Sequence, residues 1–183
     1  MQGSGIAGRK RLIKIINLIV ALVLVVVLVV LDQLTKVHFK QLYELNGRTT
    51  VIDGFFYFTH VVNTGAAWSF LGDKPWAQTF FKIITIVALV IFVLMIIYAY
   101  KKNYKWLLYS LCIALGGTIG NFIDRLTISG VNDFILFVFG SYSFPVFNVA
   151  DICLCVGVAM IIVHLLFLDE NAIFKGKSKD EQS

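Results

Sequence analysis

From Ile15 to Leu31 the chain carries no charged side chain, and Arg9, Lys10, Arg11 and Lys14 stand just before this run. At 1.5 Å per helical residue such a run is long enough to cross ~30 Å of hydrocarbon. A basic start with an apolar run is also the pattern of a secretory signal peptide. Here, however, no small-residue cleavage site follows, and the run leads into Asp32-Gln33-Leu34-Thr35-Lys36. Leu12–Leu31 is therefore predicted to be a retained first membrane helix. Three further apolar runs, Phe80–Tyr100, Trp106–Asn121 and about Ala150–Leu168, are predicted as the second, third and fourth spans.

The expected fold class is an all-α membrane protein with four transmembrane helices, a small extracytoplasmic β element and an interfacial loop. Residues 1–11 form an N-terminal tip, 12–168 one membrane domain, and 169–183 a basic tail with Lys175, Lys177 and Lys179. The composition agrees, with 58% hydrophobic and only 15% charged residues. A net charge of +5 would suit a nucleic-acid partner, but the cations cluster beside apolar runs, where membrane orientation explains them. With four spans, the basic start, Lys101, Lys102 and Lys105, and the basic tail share one side. An excess of Lys and Arg marks that side as cytoplasmic. Loops 32–79 and 122–149 then lie outside. Cys112, Cys153 and Cys155 all fall in apolar segments and are expected to be small buried hydrophobes rather than a disulfide framework.

Within the first loop, Thr49–Asn63 is rich in Val, Ile, Phe, Tyr and Thr, with Asp53-Gly54 as a turn signal. It is predicted to be a hairpin or small sheet. Phe134–Phe139 is apolar but too short to span, so it is expected to be interfacial or a strand. Gly116 and Gly120 have the G-x-x-x-G spacing of a close helix contact.

The polar residues gather at one predicted membrane face. They are Asp32, Lys36, Asn63, Asn121, Asp124, Arg125, Asp133, Asn148 and Asp151. Ionisable groups at membrane depth are costly and are functional candidates by default. Each also has a structural reading. Asp32 and Lys36 are i and i+4 and can pair on a continuing helix. Asp124 and Arg125 suit a supporting role, Arg125 by holding loop backbone or offsetting nearby acids. The three asparagines can hold an extended peptide or satisfy loop ends. Asn148 fits a helix N-cap with Asp151 three residues on, as in a capping box.

That cap has a chemical consequence. A helix N-terminus favours negative charge on Asp151. Asp133, flanked by Val131, Phe134, Ile135 and Leu136, is expected to tend toward the protonated form if those neighbours desolvate it. Two carboxyls whose titrations are pushed apart meet the requirement for hydrolysis by a shared proton. His38, His60 and His164 are scattered without metal-ligand spacing, and no cofactor is expected. No Ser or Cys has an evident base beside it.

Five motifs in register carry a resemblance: DQLTK at 32–36, NTGAAW at 63–68, GNFIDRL at 120–126, VNDF at 131–134 and FPVFNVAD at 144–151. Together they resemble the bacterial lipoprotein signal peptidases, signal peptidase II. The resemblance implies an aspartic endopeptidase of the inner or cytoplasmic membrane, cleaving prolipoproteins just before a diacylglyceryl-modified cysteine. It places the catalytic pair on Asp133 and Asp151. The supporting residues fall on Asp32, Lys36, Asn63, Gly65, Ala66, Asn121, Asp124, Arg125 and Asn148. It also implies sensitivity to globomycin. Asn132 departs from the pattern, which has an aliphatic residue there, and an amide beside Asp133 is expected to bond it. The implied partners are the lipid-modified signal peptide and membrane lipids, with a monomeric protein and no nucleic acid. Gly65, Ala66 and Gly116–Gly120 are expected to leave room for the substrate chain. The rival readings are an ion-coupled carrier using the same acids as a relay, and a non-catalytic assembly factor.

Overall fold

The computed structural model describes residues 2–65, 71 and 74–169. Ala66 and the basic tail lie outside them. Helix α1 (Gln2–Leu42, 41 residues) is much longer than the predicted span. At 1.5 Å per residue it reaches ~60 Å, about twice the hydrocarbon thickness. The loop expected from residue 32 therefore begins only after Leu42. Residues 32–42 contain no Gly or Pro, and their Leu, Gln and Lys residues favour helix. The chain turns at Asn46 (φ 66°) and Gly47.

Helices α2 (Ala77–Lys102), α3 (Lys105–Thr127) and α4 (Val149–Val163), the last continued by a π-helical turn at His164–Leu168, complete the bundle. Asn103, left-handed at φ 60°, returns its backbone N–H to the carbonyls of Ala99 and Tyr100. This closes α2 and turns the chain directly into α3. Helix α3 runs six residues past the predicted end at Asn121. Asp124 and Arg125 are thus helical, and the second loop starts at Ile128 rather than at residue 122.

All four helices are long and apolar enough to cross a membrane. They are not equivalent. In the apolar stretch of α3, 67% of residues are buried, against 11%, 11% and 17% for α1, α2 and α4. Helix α3 is therefore the axis of the bundle, and the other three present their outer faces to lipid. Leu107, Leu108, Leu111, Cys112 and Leu115 of α3 pack with Ala21 and Val25 of α1 and with Ile96 and Ala99 of α2. Cys155, expected to be buried, faces outward on α4, whereas Cys112 and Cys153 are buried.

Glycines allow α3 to approach its neighbours closely. A Cβ on Gly117 would collide with the Ala150 carbonyl and sit 2.9 Å from the Leu154 nitrogen of α4. One on Gly116 would meet Leu28 of α1 at 3.1 Å. One on Gly120 would collide with the Asp32 carboxylate. The stretch expected to leave room for substrate is thus filled by α1 and α4.

Four antiparallel strands form a sheet in the order β1 (Arg48–Ile52), β2 (Phe56–Asn63), β3 (Val131–Phe139), β4 (Tyr142–Ser143). The predicted hairpin is β1–β2, turning at Gly54 with φ 70°. The apolar stretch Phe134–Phe139 belongs to β3. Register places Asn63 opposite Val131 and Val61 opposite Asp133. Phe39, on the extension of α1, stacks on Phe134 of β3 with centroids 4.4 Å apart and lies 4.6 Å from the Phe58 ring of β2. The extra turns of α1 therefore dock the sheet against the end of the bundle where Asp32 and Lys36 lie.

Candidate active site

Asp32 and Lys36, one turn apart on α1, are buried at 1% and 2% exposure. An isolated ionised group there would carry a penalty of several kcal/mol, so partners are required. Lys36 Nζ lies 2.9 Å from Asp32 and 3.4 Å from Asp124 of α3, and donates to Asn121 Oδ1 at 2.9 Å. Asp32 Oδ1 accepts the backbone N–H of Ala150 at 2.9 Å. Ala150 lies in the first turn of α4, whose N–H groups have no partner within the helix. Asp124 Oδ2 accepts the backbone N–H of Asn132 at 2.8 Å. One ammonium and two carboxylates thus tie α1 to α3, to α4 and to the start of β3.

On this platform stand three asparagines whose orientations are forced. A side-chain amide has an accepting end and a donating end, so occupying the first aims the second. Asn121 Oδ1 takes Lys36, and its Nδ2 donates to Asp151 Oδ1 at 2.7 Å. Asn63 Oδ1 takes the backbone N–H of Gly65 at 3.0 Å, and its Nδ2 donates to Asp133 Oδ2 at 3.2 Å. Asn148 Oδ1 takes the backbone N–H of Asp151 at 3.0 Å, and its Nδ2 donates to Asp133 Oδ1 at 2.6 Å. The Asn148 backbone N–H in turn donates to Asp151 Oδ2 at 3.0 Å. This completes the predicted capping box.

Every oxygen of the two acids therefore faces an N–H donor, and Asn148 touches both acids. Asp133 is buried at 2% exposure. Burial, together with the neighbouring Asp151 charge, pushes its carboxyl up to about 7. The donors on Asn63 and Asn148 and the charge of Lys36 oppose that rise without cancelling it. The two carboxyls are close enough to influence each other's ionisation and titrate as a pair.

The structure brings together Asp32, Lys36, Asn63, Gly65, Asn121, Asp124, Asp133, Asn148 and Asp151, while Ala66 lies outside the described residues. Arg125 lies over the Phe81 ring of α2 at 5.4 Å, and its charge acts on Asp151, Asp133 and Asp124. Asn132 does not bond Asp133 as expected. Its side chain donates to Asp124 Oδ2 at 3.3 Å and pairs with His60 Nε2 at 3.2 Å. Since the Asn132 oxygen has no proton to give, His60 donates from Nε2. Gln33, not singled out from the sequence, bonds Asp32, Asp124 and the Gly120 carbonyl, each at 3.1 Å. The unbroken helix through Asp32 was the available signal for it.

A coupled carboxyl pair held by amides thus stands at one end of a four-helix bundle of the membrane-protein class. The match to known proteins is more specific. The family model described as signal peptidase (SPase) II matches residues 24–167. A lipoprotein signal peptidase of Maridesulfovibrio salexigens is 44% identical over 136 residues, covering 73% of this chain and 86% of that protein. One from Bacillus pumilus is 45% identical over 139 residues, covering 74% and 85%. A solved structure described as a bacterial membrane enzyme superposes with a TM-score of 0.69 at 35% identity, covering 80% of this chain and 92% of that one. The chain belongs to the signal peptidase II family; it is a multi-pass membrane protease of signal-peptide removal from prolipoproteins.

Proposed function

We propose that Asp133 and Asp151 are the catalytic pair, and that the enzyme cuts a prolipoprotein just before its diacylglyceryl-modified cysteine. The observation that carries this reading is the sharing of Asn148, whose side chain holds Asp133 and whose backbone N–H holds Asp151. The base role goes to Asp151, whose oxygens face N–H donors at a helix N-terminus, an arrangement suited to a carboxylate. The acid role goes to Asp133, which holds its proton up to about pH 7. Asp151 takes a proton from water as the water oxygen attacks the scissile carbonyl, while Asp133 donates to the carbonyl oxygen. The tetrahedral intermediate then collapses, with Asp151 passing its proton to the leaving nitrogen and Asp133 recovering its own.

The substrate is an apolar helix carrying acyl chains. It reaches the acids sideways across the lipid-facing surfaces of the bundle, and its cleavage site is extended beside the sheet. Asn63 and Gly65 lie beside this path. The acids stand at the opposite end of the bundle from the basic cluster, where Lys14 donates to the Lys101 carbonyl at 3.1 Å. Charge placement therefore supports cytoplasmic termini and an active site at the extracytoplasmic face of the inner membrane. Clustering of the acids at one end, rather than along the spans, favours hydrolysis over an ion relay.

The test is cleavage of a lipidated precursor by the intact protein, by Asp133→Asn and by Asp151→Asn. Both variants are expected to fold and to lose cleavage, and globomycin is expected to block the intact enzyme. Full cleavage by either variant would end the paired-acid reading. Crosslinking of the substrate cysteine to the basic end would end the proposed orientation.

A further inference from the structure

The basic end of the bundle carries a cavity that the peptidase chemistry does not use. It is an open cavity of about 490 Å³, lined by Lys10, Arg11, Ile13 and Lys14 of α1 with Asn103 and Lys105 at the α2–α3 turn. No lining residue is acidic. Asp169, at the same end, is turned to His164 with 3.6 Å between Oδ2 and Nε2. Lys14, Asn103 and Lys105 also line a smaller adjoining space of about 10 Å³, into which Asn17 opens. The Asn17 Nδ2 atom is buried and has no hydrogen-bond partner among the described residues. An unpaired buried N–H costs about 1–3 kcal/mol, so a polar occupant is called for.

One of the cations, Lys14, is held in place. Lys14 gives one N–H to the Lys101 carbonyl and lies over the Tyr100 ring at 4.5 Å, which leaves further donors on its ammonium. Helix α3 begins at Lys105, and its N-cap, Tyr104, supplies no side-chain bond to the first-turn N–H groups. Four cations line the larger space, a buried amide donor opens into the smaller one beside it, and α3 begins at Lys105 without a side-chain cap. All of them are donors, and none is an acceptor suited to a cation.

We propose that this cavity binds one phosphate group, supplied by the headgroup of an anionic phospholipid. A phosphate offers several acceptor oxygens and at least one negative charge, which match the donors and cations present. A lipid is the fitting source because the cavity borders exposed apolar side chains that can receive acyl chains, Ile13 and Ile16 of α1 and Trp106 of α3. This site is independent of the assignment of the catalytic pair.

The full-length protein, stripped of lipid in detergent, is titrated with phosphatidylglycerol and separately with phosphatidylcholine, and bound lipid is read by native mass spectrometry. One phosphatidylglycerol is expected to bind in preference to phosphatidylcholine. Asn17→Leu keeps every charge and is expected to weaken binding roughly tenfold. Lys105→Gln is expected to weaken it at least as much. Lys102→Gln removes the same charge outside the cavity and is expected to leave binding unchanged. Retained precursor cleavage by each variant reports that it is folded. Equal binding of the two lipids, or equal losses in Lys102→Gln and Lys105→Gln, would overturn the site. Should Asn17→Leu fail to fold, the two lysine variants still decide. Displacement of the lipid by excess inorganic phosphate would overturn the lipid source and leave a free-phosphate site.

Discussion

Lys36→Met removes the one ammonium at the centre of the platform and leaves a side chain of similar length. The Lys36, Asp32 and Asp124 cluster then passes from a net charge of −1 to −2 in a dry environment. Breaking a buried ion pair by deleting one partner costs about 3–5 kcal/mol, because the remaining charges stay buried. For a chain of this size that loss corresponds to a fall in Tm of roughly 6–20 °C. The function suffers for a second reason. Asn121 loses one of the two donors, Lys36 and Asn148, that fix its carbonyl end, so the amide that holds Asp151 is aimed less firmly. The assay is thermal unfolding in detergent beside precursor cleavage. The partner variant is Asp32→Asn/Lys36→Met, which restores the net charge of −1 and keeps an acceptor for the Ala150 N–H. It is expected to recover at least ~1 kcal/mol over Lys36→Met alone. A loss below ~1 kcal/mol in the single variant would make this pair no stronger than a surface ion pair. That result, or a double variant no better than the sum of its parts, would refute the reasoning.

Other outcomes follow from the same geometry. Moving a carboxyl from its ordinary 3.8 to about 7 costs the ionised form roughly 4 kcal/mol. The folded state therefore holds a proton that the unfolded state releases. This contribution to stability is full below about pH 4, declines as pH rises to about 7 and is flat above that. Unfolding at a series of pH values is expected to show this slope in the intact protein and to lose it in Asp133→Asn. Gly117→Ala drives a methyl group into the Ala150 carbonyl and should cost about 1–3 kcal/mol, with reduced cleavage because Asp151 moves with α4; an unchanged Tm would show that the α3–α4 contact yields freely. Asn132→Leu leaves the His60 ring without its partner and removes one donor from Asp124, so a loss of about 1–3 kcal/mol is expected in the same unfolding assay.

The spans were legible because hydrocarbon imposes a length, and a run without charges reports it directly. The capping box was legible because it is local, three residues of one chain segment deciding the geometry. The end of α1 was not. Residues 32–42 become polar, and polarity alone reads as the end of a helix although no residue there breaks one; the breaker comes at Asn46-Gly47. The G-x-x-x-G spacing located a close helix contact but not its partners. Gly116 meets α1 and Gly117 meets α4, a division set by how three helices surround one, which spacing along a single helix does not encode. Asn132 shows the same limit. Its nearness to Asp133 in sequence suggested a bond, whereas alternation along β3 sends the amide to Asp124 and His60.

Asp32 reaches across 118 residues of chain to the N–H of Ala150. The first membrane helix therefore carries a carboxylate whose resting place is supplied by the last. Until α3 is made, Asp32 has only Gln33 and Lys36 as partners, and Asp151 comes later still. With Asp151 as one half of the proposed pair, cleavage waits until the final helix leaves the ribosome and enters the bilayer.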